Sequence, residues 1–308
     1  MPLAEIPLRV WRKRGQDFVF RGRTLRYWVA GQGEPLLLIH GFPTASWDWH
    51  YLWQPLAQRH LVIACDMLGF GDSAKPLDHD YCLLEQADLQ QALLEHLRVE
   101  QPVHVLAHDY GDSVAQELLA RHYEGRFEMA SCVFLNGGLF PETHRLALVQ
   151  KLLLSPLGWM IGRAFGRSAL SDSFGQIFGP DTRPSESALD DFWSLINANG
   201  GTRILHKLIA YVPQRRRLRD RWVGAMQRGE VPLRVIDGEV DPISGAHMVE
   251  RYQQLVPDAD TVLLANIGHY PQIEAPVQVL RHYQAFRDRL GQPVVWEGAC
   301  PRWQSVSH

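Results

Sequence analysis

The stretch LAHDYGDSVAQELLAR, Leu106 to Arg121, decides how the rest of the chain is read. Val103, Val105, Leu106 and Ala107 form an apolar run of the kind buried in a parallel sheet, while Val114, Ala115, Leu118 and Leu119 recur at helical spacing. A strand therefore passes straight into a helix. Ala107 and Gly111 flank the turn, and small residues there let a helix pack on a strand through a strained corner that presents one side chain. That side chain is Asp109. The usual form of such an elbow carries Ser, and Asp in its place shifts the chemistry from acyl transfer towards attack on a saturated carbon. Alone, Asp109 would mean little, because Asp favours turns.

Upstream of the elbow, Leu36 to Ile39 is a short, wholly apolar run suited to a buried parallel strand, and it ends in HGFPTASWDW, His40 to Trp49, whose Gly and Pro force a defined loop. Leu61 to Ala64 repeats the pattern and runs into DMLGFGDS, Asp66 to Ser73. Glu85 to Leu97 has helical spacing. Residues 1 to 35 read as an antiparallel ribbon turning at Arg21 and Gly22. Downstream, Cys132 to Leu135 is a further strand. Strands alternating with helices imply an α/β, doubly wound and mostly parallel sheet. At Gly137 the alternation stops, and from Phe140 to about Gly229 the chain is helical and aromatic. Such an insertion belongs over the strands' carboxyl ends, where open α/β sheets bind ligands. The sheet resumes at Leu233 to Ile236, followed by DGEVDP, and at Val262 to Leu264, followed by ANIGHYPQIE. A closing helix spans Val277 to Leu290. The expected division is a core over 1–138, a helical cap over 139–229, and the rest of the core with a tail over 230–308.

The 308 residues are 46% hydrophobic and 21% charged, enough for a large core. A formal charge of −3 gives no overall reason to expect nucleic acid or acidic lipid as a partner. Cys65, Cys82, Cys132 and Cys300 lack the spacing of a zinc site or a disulfide scaffold and read as reduced thiols, with no metal and no cofactor. The N-terminal segment has no apolar core of a secretory signal, and no apolar run approaches the roughly 18 residues of a membrane span. A cytoplasmic monomer or homodimer acting on a small molecule and water is expected.

Three residues each follow the carboxyl end of a strand: Asp109, then Asp241, then His269. A parallel sheet brings them to one edge. Asp109 can attack a strained or activated carbon and form an ester; His269 then takes a proton from water, and Asp241 fixes the imidazole tautomer. The backbone N–H groups of Phe42 and Tyr110 are expected to hold the oxyanion, with His40 in the same loop as Phe42. Asn136, after the preceding strand, is uncharged, which favours Asp241 as the acid. Asp112 reads as a cap of the following helix, His108 as pointing away from the site, and the run Arg215, Arg216, Arg217, Arg219 and Arg221 as a solvated face, with binding of an anion as the alternative.

The motifs HGFPTASWDW, DMLGFGDSAKP, HDYGD and IGHYPQIEAP resemble the α/β-hydrolase branch that contains epoxide hydrolases and haloalkane or haloacetate dehalogenases. HDYGDSVAQELL, NGGLFPETHR at 136–145, FGPDTRPSES at 178–187 and QRRRLRDRWVGA at 214–225 are similar to the mesoderm-specific transcript subgroup. The resemblance implies the α/β-hydrolase fold, a helical cap after the sixth strand, and the triad Asp109, Asp241 and His269. Dehalogenases of this branch hold halide with an indole N–H after the nucleophile and usually an Asn in the first loop; Tyr110 and Phe42 stand there. Epoxide hydrolases protonate the epoxide oxygen with two cap tyrosines. Tyr211 matches one position, as an acid or as packing, and the other falls near Phe174 or Phe178. Epoxide opening is thus the leading expectation, halide expulsion the alternative, and a catalytically silent binding protein the third reading.

Overall fold

The structure, a computed structural model, describes residues 3–291. Cys300, Trp296, Pro301 and Trp303 of the tail lie outside the described residues. Eight strands form one sheet: β1 (Gln16–Phe20), β2 (Arg23–Ala30), β3 (Pro35–Ile39), β4 (Leu61–Cys65), β5 (Val103–His108), β6 (Met129–Leu135), β7 (Leu233–Gly238) and β8 (Thr261–Leu264), in the order β1-β2-β4-β3-β5-β6-β7-β8. β1 to β2 and β2 to β4 are antiparallel and the remaining pairs parallel. β3 and β5 are buried along their whole length, as helices on both faces of a parallel sheet require.

The helices are α1 (Leu8–Arg14), α2 (Trp53–Ala57), α3 (Leu83–His96), α4 (Tyr110–Tyr123), α5 (Leu148–Leu153), α6 (Gly158–Ala164), α7 (Arg167–Ile177), α8 (Glu186–Asn197), α9 (Leu205–Leu208), α10 (Tyr211–Gln227), α11 (Ala246–Leu255), α12 (Pro271–Glu274) and α13 (Pro276–Arg289). The ribbon turns at Arg21 and Gly22 as expected, but α1 precedes it where sequence reading extends the ribbon to residue 1. The cause is one buried side: Leu8 and Trp11, three apart, face inward, and the Trp11 ring stacks 5.0 Å from Trp28 and meets Trp53 edge-on at 4.9 Å. Between β6 and β7 the chain adds no strand and runs through α5 to α10. None of the helices is long and apolar enough to cross a membrane among the described residues.

Candidate active site

β5 ends at His108 and α4 begins at Tyr110, so Asp109 alone makes the corner, with φ 47° and ψ −104°. A non-glycine residue held there stores roughly 1–3 kcal/mol of strain, sustained only by tight surroundings. Gly111 makes the corner sterically feasible, because a Cβ at that position would lie 2.4 Å from the carbonyl oxygen of Ile39.

Asp109 is 2% exposed, and its Oδ2 accepts the Phe42 N–H at 3.1 Å. On its other side Arg215 reaches in from α10: Nη2 donates to the Asp109 carbonyl at 2.8 Å and lies 3.5 Å from Oδ1. Burial opposes ionisation, yet His269, Arg215 and the Phe42 N–H outweigh it and hold the Asp109 carboxyl below the usual carboxylate range.

His269 follows β8, and its Nδ1–H donates to Asp241 Oδ2 at 2.8 Å. Asp241 is itself fully engaged. Its Oδ2 accepts from the Ser244 hydroxyl (2.9 Å), the Ser244 N–H (3.1 Å) and Asn136 Nδ2 (3.0 Å), and its Oδ1 from the Ile243 N–H (2.8 Å). Asn136 therefore helps to hold the Asp241 carboxylate in place. Burial disfavours the imidazolium, but Asp241 and Asp109 overcome that and hold His269 up at about 9.

Three neighbours depart from the sequence reading. His108 does not point away: its Nε2–H donates to the His269 carbonyl at 2.7 Å, and burial lowers its pKa to about 3, so it supports the histidine loop as a neutral ring. Asp112 does not cap. Asp109 occupies the N-cap, and neither carboxyl oxygen of Asp112 accepts a hydrogen bond of ordinary geometry. Burial first, then the neighbouring carboxyls of Asp237 and Asp109, push its pKa well up, which disfavours a second charge beside Asp109. The arginine run is not a solvated face either. Arg215 is 1% exposed and donates from Nε to the Ser113 hydroxyl at 2.6 Å, while Arg219 pairs with Glu142 and Arg221 with Glu117. Only Arg216 and Arg217 of the five are exposed. The inward turn of Arg215 had a sequence signal, for Tyr211, Arg215, Trp222 and Met226 share one buried stripe at helical spacing.

Of the remaining candidates, His40 has both ring nitrogens occupied: Nδ1 lies 2.9 Å from the Gly41 carbonyl, Nε2 accepts the Met67 N–H at 3.1 Å, and burial lowers its pKa to about 4. It fixes the loop as a neutral ring and has no nitrogen left over for a ligand. The Tyr110 hydroxyl lies beside Gln86, away from Asp109, and its ring packs edge-on against Tyr211 at 5.0 Å. Tyr211 is buried with no hydrogen-bond partner for its hydroxyl among the described residues, and the Arg215 guanidinium stands 4.5 Å over its ring. Phe174 and Phe178 pack on Tyr270, 5.3 and 5.2 Å away. Glu274 was missed by sequence reading. Its carboxylate accepts the N–H groups of Gly268 (2.9 Å), Tyr270 (2.8 Å) and Gly179 (2.7 Å) and the Thr182 hydroxyl (2.5 Å), tying the histidine loop to the segment after α7. Its place in the first turn of α12, behind Pro271, was the available sign.

An apolar cleft of about 340 Å³ runs from Leu148, Leu153 and Phe165 to Phe42 and His269. No group of three or more His, Cys, Asp or Glu side chains could hold a metal ion among the described residues.

A family profile described as the alpha/beta hydrolase fold matches residues 34–276. The chain belongs to the α/β-hydrolase family. Within that family it is 41% identical over 295 residues to the mesoderm-specific transcript protein of Mus musculus, covering 91% of this chain and 87% of that one, so the subgroup resemblance is borne out. It is also 28% identical over 277 residues to the cis-3-alkyl-4-alkyloxetan-2-one decarboxylase of Shewanella oneidensis, covering 86% of this chain and 85% of that protein. Among solved α/β-hydrolases, the haloalkane dehalogenase DatA of Agrobacterium tumefaciens superposes with a TM-score of 0.78 at 18% identity, covering 90% and 97% of the two chains. The epoxide hydrolase CorEH superposes at 0.71 and 22% identity, covering 90% and 99%. At such identities the likeness speaks for the fold alone.

Proposed function

We propose that this α/β-hydrolase opens a small epoxide through an aspartyl ester on Asp109, in the cytoplasm, with residues 139–229 as a cap over the core parts 1–138 and 230–308. The observation that carries the reading is Asp109 on a strained elbow, held between the Phe42 N–H and Arg215, beside the His269–Asp241 pair. Free, buried Cys65 and Cys132 support a reducing compartment.

In the resting state Asp109 is a carboxylate and His269 an imidazolium. Asp109 attacks an epoxide carbon, the C–O bond breaks, and the Tyr211 hydroxyl gives its proton to the leaving oxygen, with Arg215 stabilising the tyrosinate. Esterification removes the negative charge that helps to hold up the pKa of His269. The imidazolium then returns a proton to Tyr211 and becomes a neutral base. It takes a proton from water, whose oxygen attacks the ester carbonyl carbon. The oxyanion lies against the N–H groups of Phe42 and Tyr110, and its collapse releases the diol while restoring the Asp109 carboxylate and the His269 imidazolium.

A second reading changes only the electrophile. The Shewanella relative is named for an alkyl-substituted four-membered lactone, and the apolar cleft favours an alkyl chain. Attack of Asp109 on a ring carbon of such a lactone releases a carboxylate and needs no acid. Halide expulsion is less favoured, because neither Tyr110 nor Phe42 offers a side-chain N–H to the leaving group.

Trapping with His269→Gln tests the ester before the substrate is known. Incubated with epoxides, alkyl oxetanones and haloalkanes, the folded variant should gain the full mass of an epoxide on the peptide containing Asp109. An adduct from oxetanones alone moves the assignment to the lactone, a bare alkyl adduct from haloalkanes moves it to halide, and no adduct from any of them leaves a binding protein.

A further inference from the structure

Eleven large apolar side chains are exposed among the described residues, and five of them, Leu148, Leu152, Leu157, Trp159 and Met160, fall within α5, α6 and the turn between them. Leu148 and Leu152 also line the cleft, so this patch is continuous with the passage that ends at His269. Scattered exposed leucines need no explanation, whereas a contiguous patch at the mouth of a site does.

The charge in the segments that carry the patch is mostly basic. From Thr143 to Ser171 the chain holds Arg145, Lys151, Arg163 and Arg167 and not one Asp or Glu. The turn Ala198–Ile204 and α9, which pack on α6, add Arg203 and Lys207, again with no acid between Phe192 and Arg219. Arg167 is taken up by Glu186 and Asp190, and Lys207 donates to the His79 carbonyl at 3.2 Å. Arg145, Lys151, Arg163 and Arg203 remain as exposed cations, with the Arg163 guanidinium 5.2 Å over the Trp159 ring. Asp172, on α7, is the one exposed acid among the cleft-lining residues. The formal charge of −3 averages over this segregation, which is why composition gave no reason to expect acidic lipid.

We propose that α5, α6 and the turn between them dock on an anionic lipid surface, setting the cleft mouth against the bilayer. An aromatic and aliphatic tip ringed by Lys and Arg is the composition that settles at a headgroup boundary, where Trp sits at the interface and the cations meet acidic headgroups. A second copy of the chain is the poorer occupant. An isologous pair through this patch would bring Lys151, Arg163 and Arg203 against their own equivalents. The supply of an alkyl-bearing substrate from lipid to His269 rests on the function proposed above; the docking itself does not.

Cosedimentation of the full chain with phosphatidylcholine vesicles, with and without phosphatidylglycerol, tests the docking without turnover, so its failure stays separate from failure of the ester chemistry. Binding should be about tenfold stronger with phosphatidylglycerol and weaken with salt. Leu157→Ser with Trp159→Ser, and separately Lys151→Glu with Arg163→Glu, should each reduce it about tenfold at unchanged melting temperature. Equal, weak binding of the wild type to both vesicles overturns the proposal. So does a dimer in sedimentation velocity that the Leu157→Ser, Trp159→Ser variant dissolves. Should either variant fail to fold, the lipid and salt dependence of the wild type decides alone.

Discussion

Asp109 has two flanks, and they are built differently. On one side stand His269 and Asp241, carried by loops after β8 and β7 and joined by a 2.8 Å hydrogen bond. On the other stand Arg215 and Tyr211, carried by α10, a helix that belongs to no strand. In the proposed mechanism the loop flank holds His269, whose protonation changes during turnover, and Asp241, which aims it. The helix flank holds a guanidinium that keeps its charge throughout and so fixes the carboxylate without taking part in proton traffic. Under the proposed mechanism Asp109 must be both ionised and aimed, and each flank serves one of those needs.

The largest test removes what both flanks serve. Asp109→Asn keeps the shape of the elbow but cannot form the ester, and turnover should fall on the order of 10⁴-fold, with a lower melting temperature because Arg215 and His269 lose their counter-charge. Equal turnover by variant and wild type would end the comparison. Next comes the helix flank. Arg215→Met leaves the Asp109 carboxylate and carbonyl without their partner and should cost about 3–5 kcal/mol in denaturant unfolding, with Arg215→Lys recovering part of it. It should also raise the pH at which adduct formation in the His269→Gln background reaches half its plateau, a shift that loss of packing alone would not produce.

The loop flank can be probed by pH. The pKa of His269 is raised from its ordinary value near 6.5 to about 9 in the fold. Its contribution to stability is therefore complete below about pH 6.5 and is lost as pH climbs through about 9, a fall of roughly 3 kcal/mol that Asp241→Asn should largely abolish. Asp109 and Asp241, both depressed, act oppositely: their contributions are present above the normal carboxylate pKa and vanish in stronger acid. The smallest effect is expected from Tyr211→Phe, about 10- to 100-fold in epoxide opening with little change towards an alkyl oxetanone, whose carboxylate leaving group needs no proton.

The residues of the loop flank were legible in the sequence; on the helix flank Tyr211 was named through the resemblance, but Arg215 was not, for a physical reason. Asp109, Asp241 and His269 each sit just beyond an apolar strand, and in a parallel sheet all such positions share one edge, so chain order alone assembles them. Arg215 lies in a run of five arginines, and which one turns inward depends on how α10 is rotated against α4. The buried stripe through Tyr211, Arg215, Trp222 and Met226 holds that information, but the surrounding charges outweigh it when the segment is read alone. Asp112 was misread because its fate depends on Asp237 and on burial, both long-range, and α1 because Trp11 finds its partners in Trp28 and Trp53.

Glu274 joins these parts mechanically. One carboxylate grips both the loop that carries His269 and the backbone at Gly179 and Thr182, just past α7. Lifting α7 away from the sheet therefore pulls on the same anchor that holds the imidazole in line with Asp241. A displacement of α7 would thus be felt at His269 through one shared carboxylate, as in a latch whose bolt is also its hinge.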